Sequence, residues 1–338
     1  MIKVAVCGVG PMGRMHAQLL KQNEAAALVA IADVQDELCA RVGAELGVAT
    51  YRSGEELIDA RVADAVWVCV PTYLHAPLSI RALRAGHHVF CEKPMALDAK
   101  ECQAMIDAAQ AAGRLLTVGQ VLRFWPEYVF LKQAIEQRTF GKLRTLSMVR
   151  LGGVTIGWQE WFLDEKRGGT QIFDRHIHDT DMTLWLLGKP EAVTTYGTLG
   201  VRGGYVHCFT RYVYPDVTVS AEGSADQPDG FPFTMGYHAT FERGAIRYHS
   251  GSSPTLTVYH ADGSRSNPEL PNPLGDLHVG LNISSAGGYH LEGVYFLDCI
   301  AQGREPEIVS PESARETVRL VRAEMESARQ DGKRVAFA

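Results

Sequence analysis

Val4-Ala5-Val6-Cys7-Gly8-Val9-Gly10-Pro11-Met12-Gly13-Arg14-Met15-His16 decides the fold. An apolar, β-branched run beginning at Ile2 stops at three glycines spaced G-x-G-x-x-G, and a helical pattern follows through Met15, Leu19 and Leu20. The glycine spacing alone is weak evidence; a strand before it and a helix after it give it meaning. Gly8 permits a tight turn, Gly10 lets a pyrophosphate approach the backbone, and Gly13 lets the helix pack closely on the sheet. Pro11 and Met12 open that helix, whose free N–H groups and positive dipole end suit phosphate. Ala27 to Ala32 reads as a second buried strand ending at Asp33, twenty residues beyond Gly13. An acid there accepts hydrogen bonds from ribose hydroxyls and repels a 2′-phosphate. No Arg occurs in the next seven residues, so NAD is favoured over NADP.

Working outward, the alternation continues. Helical Val34 to Leu46 leads to a strand at Val48 to Tyr51, Ser53 caps a helix over Glu55 to Ala60, and Asp64 to Val70 is the next strand. The segment Pro71 to Pro77 opens a helix ending at Gly86; His87 to Cys91 is a strand, Asp98 begins a helix running to Ala111, and Leu115 to Val118 is the last strand. Strands separated by helices of this length imply a doubly wound parallel sheet, an α/β Rossmann domain over 1–121. Ligands bind beyond the carboxyl ends of such strands. Val89-Phe90-Cys91-Glu92-Lys93-Pro94 ends a strand there, since proline cannot donate to a ladder. Expected cofactor contacts are therefore the glycine turn (Gly8, Gly10, Pro11, Met12, Gly13), Asp33, and the strand-end residues Pro71, Thr72, His75, Glu92, Lys93 and Gln120.

From Arg123 the pattern changes. A helix at Pro126 to Gln137 precedes strands at Leu143–Leu151, Ala192–Leu199, Val206–Val213, Val217–Gly223, Phe233–Phe241, Gly244–His249 and Leu256–Tyr259, several alternating apolar with polar residues. Residues 122–338 read as an α+β domain with a large, mostly antiparallel open sheet, closed by helices at Leu291–Ala301 and Pro311–Gln330. Such a face invites a second copy, so a homodimer or homotetramer through this sheet is expected. Within this half, Gly168-Gly169 precedes a polar segment holding Asp174, Arg175, His176, His178, Asp179 and Asp181. Asp174 and His178 are four apart and share a helix face; a carboxylate and an imidazole so placed can orient a hydroxyl and remove its proton. A binuclear metal pattern would want Asp at position 180, where Thr180 stands, so no metal is expected.

Composition bounds the alternatives. The chain has 338 residues, 46% hydrophobic and 21% charged, a net charge of -6, and no basic run long enough to track a nucleic acid. Seven scattered cysteines without C-x-x-C point to reduced thiols and a cytoplasmic location. No stretch approaches the roughly 18 apolar residues of a membrane span, and no apolar signal segment opens the sequence.

Together these residues resemble the glucose-fructose oxidoreductase, inositol dehydrogenase and MocA-type oxidoreductases. The resemblance rests on Gly8 to Gly13 with His16, Asp33, Pro71 to Pro77, Glu92-Lys93-Pro94, Arg123-Phe124 with Pro126, and Gly168-Gly169 leading to Asp174 and His178. It implies a catalytic group of Lys93, Asp174 and His178, a sugar or polyol substrate, and a Lys93-Pro94 bond that is often cis in such enzymes. Trp158, Trp161, Arg123, Arg175, His176 and Tyr289 are expected substrate contacts, aromatic planes and polar groups suiting a sugar or cyclitol ring. Two rivals share the fold: redox-assisted glycoside cleavage with NAD recycled in place, and a dinucleotide sensor without catalysis. Retention of Lys93, Asp174 and His178 together speaks against the sensor.

Overall fold

The computed structural model describes residues 1–170, 172–201, 203–272, 274 and 286–338, which fall into two compact units. The first comprises Met1–Val121 and, from late in the chain, residues 286–318; the second comprises Leu122–Asn272 and Arg319–Ala338. The helix at 287–302 and the start of the next one, assigned from sequence to the second domain, instead cluster with the first.

In the first unit β1 (Ile2–Cys7), α1 (Pro11–Gln22), β2 (Ala26–Ala32), α2 (Asp36–Leu46), β3 (Ala49–Tyr51), α3 (Gly54–Asp59), β4 (Ala65–Val68), α4 (His75–Ala85), β5 (His88–Cys91), α5 (Ala99–Ala112) and β6 (Leu116–Val118) alternate along the chain. The strands pair in the order β3-β2-β1-β4-β5-β6, all parallel. The order reverses between β1 and β4, the position at which doubly wound sheets take ligands. Continuous apolar runs in β1, β4 and β5 make sense because both faces of the sheet are covered. The expected caps are present: Ser53 accepts from the Glu56 amide at 3.2 Å, and Asp98 from the Lys100 and Glu101 amides at 2.8 and 2.9 Å. Caps of this kind are worth about 1 kcal/mol each.

The second unit contains α6 (Pro126–Glu136), β7 (Leu143–Leu151), a short α7 (Glu165–Gly168), a π-helical turn at Ile172–His176 and α8 (Ile177–Leu187). Then come β8 (Ala192–Leu199), β9 (Tyr205–Val213), β10 (Thr218–Ser224), β11 (Thr234–Phe241), β12 (Gly244–His249), β13 (Leu256–His260) and β14 (Arg265–Ser266). Next in the chain come α9 (Gly287–Gln302), which clusters with the first unit, α10 (Pro311–Arg329), whose residues from Arg319 on cluster with the second, and β15 (Val335–Ala336) of the second unit. The sheet order is β14-β13-β12-β11-β7-β10-β9-β8-β15, antiparallel except for the parallel pair β7 and β10. The two-residue strands β14 and β15 are too short to carry a sequence pattern. In the first unit α9 returns to the parallel sheet: Phe296 meets Trp67 edge-on at 5.7 Å, and Trp67 stacks on Phe90 at 5.4 Å.

One face of the second sheet is packed by α6 and α8. Tyr128 of α6 meets Tyr237 and Tyr248 edge-on, with ring centroids 5.3 and 5.7 Å away. Among these rings the Arg150 guanidinium forks onto Asp179 of α8 at 3.0 and 3.1 Å, and Arg123 forks onto Asp181 at 2.9 and 2.7 Å. All four side chains are buried. The opposite face leaves Phe209 and Tyr259 exposed, at 46% and 39%. No helix among the described residues is long and apolar enough to cross a membrane.

Removing one member of a buried pair strands the other charge in the core, at a cost of about 3–5 kcal/mol, whereas an apolar pair of similar volume is often neutral. Asp179→Ala should therefore lower stability by about 3–5 kcal/mol in urea titration, and Arg150→Met with Asp179→Leu should recover most of it. A loss of under about 1 kcal/mol in the single variant would show that the pair does not hold α8 to the sheet.

Candidate functional site

The turn after β1 divides the glycines by role. Gly8 has φ of +85°, and a Cβ there would lie 2.5 Å from the Cys69 carbonyl oxygen; one on Gly13 would lie 1.8 Å from the Gly8 oxygen. These two positions are required by the packing of the turn. Gly10 is different: a Cβ there meets nothing within 4 Å. The space beside Gly10 is open at the start of α1, where helix N–H groups favour anions. The Asp33 carboxylate accepts from the Val9 amide at 2.8 Å and the Gln35 amide at 2.9 Å, which ties the end of β2 to the glycine turn. Each of its oxygens keeps a second lone pair for a hydroxyl donor.

At the end of β5 the Glu92 carboxylate is buried. Its Oε1 lies 2.7 Å from His16 Nε2 of α1, its Oε2 accepts from the Lys93 amide at 2.9 Å, and a Cβ on Gly119 would sit 3.3 Å from it. Burial alone would raise this carboxyl; the His16 hydrogen bond and the nearby Lys93 charge outweigh it and hold Glu92 below the ordinary carboxylate value. The Lys93-Pro94 bond is cis and the Lys93 side chain is half-buried. His75 Nδ1 faces the Pro94 carbonyl at 2.7 Å and Nε2 the Val70 carbonyl at 2.8 Å. Burial depresses its basicity against these two carbonyls, which favour the protonated ring. With both ring nitrogens spent on backbone and the ring buried, His75 braces the Lys93-Pro94 turn instead of reaching a cofactor, a correction to the expected contact. Thr72 is likewise buried and Pro71 half-buried.

Gln120, just past β6, is 1% exposed, and both ends of its amide lack a hydrogen-bond partner among the described residues. A buried amide with four unmet hydrogen bonds is costly unless a ligand supplies the partners. Open space at Gly10, an acid at the end of β2 and this orphaned amide together fit a dinucleotide.

In the second unit Asp174 lies in the π turn and His178 in the first turn of α8. Between 172 and 183, Asp174, Arg175 and His178 are half-buried while the other residues are buried, so these three lie on one open side, as the four-residue spacing anticipates. The wider π turn itself carries no sequence signature; such turns concentrate at functional sites. His176 corrects another expectation. It is 1% exposed, its Nε2 is 3.1 Å from Thr210 Oγ1, and a Cβ on Gly223 would come 2.9 Å from its ring. Burial lowers its pKa to about 3, so it is a neutral anchor of the π turn, not a substrate contact. Nearby, burial pushes the Glu324 carboxyl up to about 8, beside the Thr180 hydroxyl at 3.0 Å.

Arg123 is committed to Asp181, which also argues against a direct substrate contact. Arg175 donates to the Ser224 carbonyl at 3.0 Å and to Thr155 Oγ1 at 3.3 Å. Trp158 is 38% exposed, and Trp161 stacks on Phe162 at 3.7 Å within a turn where Gln159 and Glu160 have positive φ. Tyr289, assigned from sequence to the substrate domain, belongs to the first unit, its ring 6.0 Å from His16. Sequence reasoning missed Glu292 altogether. One carboxylate oxygen of Glu292, one of Glu92 and a ring nitrogen of His16 lie within 4.8 Å of one another, and all three side chains are buried. The available signal was a lone acid in the otherwise apolar run Leu291 to Leu297.

Residues 2–120 match the family model described as an oxidoreductase family with an NAD-binding Rossmann fold, and residues 128–264 match the GFO/IDH/MocA C-terminal domain. Myo-inositol 2-dehydrogenase of Thermotoga maritima is 35% identical over 190 residues, covering 56% of this chain and 55% of that protein. The matched stretch is thus only about half the length of that curated relative. Among solved structures, a probable dehydrogenase from Thermotoga maritima superposes with a TM-score of 0.83 at 25% identity, covering 99% of this chain and 98% of that one. Levoglucosan dehydrogenase in complex with NADH and levoglucosan shares the fold, with a TM-score of 0.85 at 21% identity and 99% of each chain covered.

The glycines separate folding from binding. Gly10→Ala should leave the melting temperature within about 2 °C of wild type while weakening NADH binding at least tenfold by fluorescence titration, because its Cβ has room in the protein but intrudes on a phosphate. Gly13→Ala should fold poorly, since overpacking against backbone costs about 1–3 kcal/mol or more. Unchanged NADH affinity in Gly10→Ala would remove the pyrophosphate from this turn.

Proposed function

We infer, because the chain belongs to the GFO/IDH/MocA oxidoreductase family, that it is an NAD-dependent dehydrogenase of a secondary alcohol on a sugar or cyclitol ring. The observation that carries this reading is the combination of an open, phosphate-suited turn at Gly10 with a buried, ligand-seeking Gln120, in a chain that also presents Asp174 and His178 on one open helical side. When bound, NAD supplies the hydride acceptor. Gly10, Asp33 and Gln120 are the residues proposed to hold it, and Asp33 favours NAD over NADP because its carboxylate repels a 2′-phosphate.

The chemistry left to the protein is movement of one proton and stabilisation of one charge. His178 is the proposed base: an imidazole titrates near neutral pH and can take the hydroxyl proton. Lys93 is the proposed cation that stabilises alkoxide charge as it develops, an electrostatic role commonly worth several kcal/mol at such sites. Asp174, one turn before His178, orients the hydroxyl or the imidazole. Trp158, Trp161 and Arg175 are the proposed ring contacts. Association through the open sheet face, where Phe209 and Tyr259 are exposed, is proposed to give a homodimer or homotetramer. The free cysteines are consistent with a cytoplasmic home.

An absorbance screen of cyclitols, aldoses and glycosides, with NAD and NADP in parallel, should give NADH in proportion to alcohol oxidised. Lys93→Met and His178→Ala should each lower kcat by about a hundredfold or more while NADH still binds. Bond cleavage without net NADH would favour the redox-assisted rival, and near-normal turnover in either variant would overturn the assignment of that residue.

A further inference from the structure

The buried group of His16, Glu92 and Glu292 lies wholly within the first unit and has no place in the proton transfer just described. Its three side chains come from three elements: His16 from α1, Glu92 from the end of β5 and Glu292 from α9. They are 2%, 5% and 2% exposed, and their ligand atoms lie within 4.8 Å of one another. Glu92 is fully engaged, with His16 on one oxygen and the Lys93 amide on the other. Neither oxygen of Glu292 has a hydrogen-bond partner among the described residues. A metal ion would need these atoms as ligands. The 2.7 Å approach of His16 to Glu92 is instead a hydrogen-bond distance, shorter than two ligands on one ion adopt.

An ionised Glu292 would be a buried carboxylate with no donor, facing a second carboxylate. Both penalties vanish when it carries a proton, which also gives it a donor to share with Glu92. We propose that Glu292 is a positioning residue that stays protonated at neutral pH, so that the two buried carboxyls hold a single negative charge, kept on Glu92 where it clamps the Lys93 backbone amide. The groups facing Glu292 are His16 of α1, Glu92 after β5 and Cys69 after β4; Tyr289, one turn earlier on the same helix, packs edge-on against His16. Burial and then the Glu92 charge push its carboxyl well above the ordinary value. A carboxyl raised by folding binds its proton more tightly in the native state. Its stabilisation is therefore complete below the ordinary carboxyl pKa and is lost as pH rises through the native value.

This deepens the reading of Lys93 as the catalytic cation and rests on it for turnover alone. Glu292→Gln reproduces the neutral acid in shape. Its melting temperature should match wild type at about pH 4, near the ordinary carboxyl value, and exceed it increasingly as the pH rises above that, and kcat should stay within about threefold of wild type, whereas Glu292→Ala should lose both stability and turnover. Infrared spectra of wild type minus Glu292→Gln at pH 7 should show one protonated-carboxyl stretch, separate from that of Glu324. Absence of that band, or a melting temperature of Glu292→Gln that tracks wild type at every pH, would overturn the proposal. If wild type itself shows no dehydrogenase activity, the reading of Lys93 fails, while the infrared and melting results still decide the state of Glu292.

Discussion

A single buried carboxylate, Glu92, sets the working end of the dinucleotide unit. It sits where β5 stops, against Gly119, with His16 on one oxygen and the Lys93 amide on the other. An ionised carboxylate is tolerable there only because each oxygen has a donor. His75 adds a second brace through the Pro94 carbonyl. The direction of the Lys93 side chain therefore depends on α1, α4, β5 and β6 being in register, which the parallel sheet provides. The glycine turn belongs to the same logic: Gly8 and Gly13 are spent on closing β1, α1 and β4 together, leaving Gly10 as the position with room for something other than protein.

The second unit solves a different problem. Asp174 and His178 must stand on the open side of a helix whose remaining residues are buried in a polar interior. Arg150 with Asp179, Arg123 with Asp181, and His176 with Thr210 anchor that helix from below. Each anchor is one or two residues from Asp174 or His178 or lies on the next turn, so the polar residues crowded into 174–181 divide into three that face outward and four that fix their direction.

Much of this was legible in the sequence where a local rule applies. The glycine spacing, Asp33, the caps at Ser53 and Asp98, the strand ends before Glu92 and Pro71, and the shared face of Asp174 and His178 all follow from periodicity and turn chemistry within a few residues. What was not legible depends on closure in space. Nothing local says that His75 and His176 turn inward, that Arg123 and Arg150 find Asp181 and Asp179, or that α9 returns to the first unit bringing Tyr289 and Glu292 beside His16. A histidine reads the same in sequence whether its ring meets a ligand or a carbonyl, and the π turn has no periodic pattern to betray it.

The central claim is direct hydride transfer from a ring alcohol carbon, and isotopic labelling tests it most directly. A cyclitol or sugar that supports turnover, deuterated at the carbon that is oxidised, is incubated with the enzyme and NAD, and the reduced cofactor is examined by mass spectrometry and NMR. The account predicts one deuterium per reduced cofactor, on the nicotinamide ring, with slower turnover than for the unlabelled alcohol. Reduced cofactor without the label would contradict it.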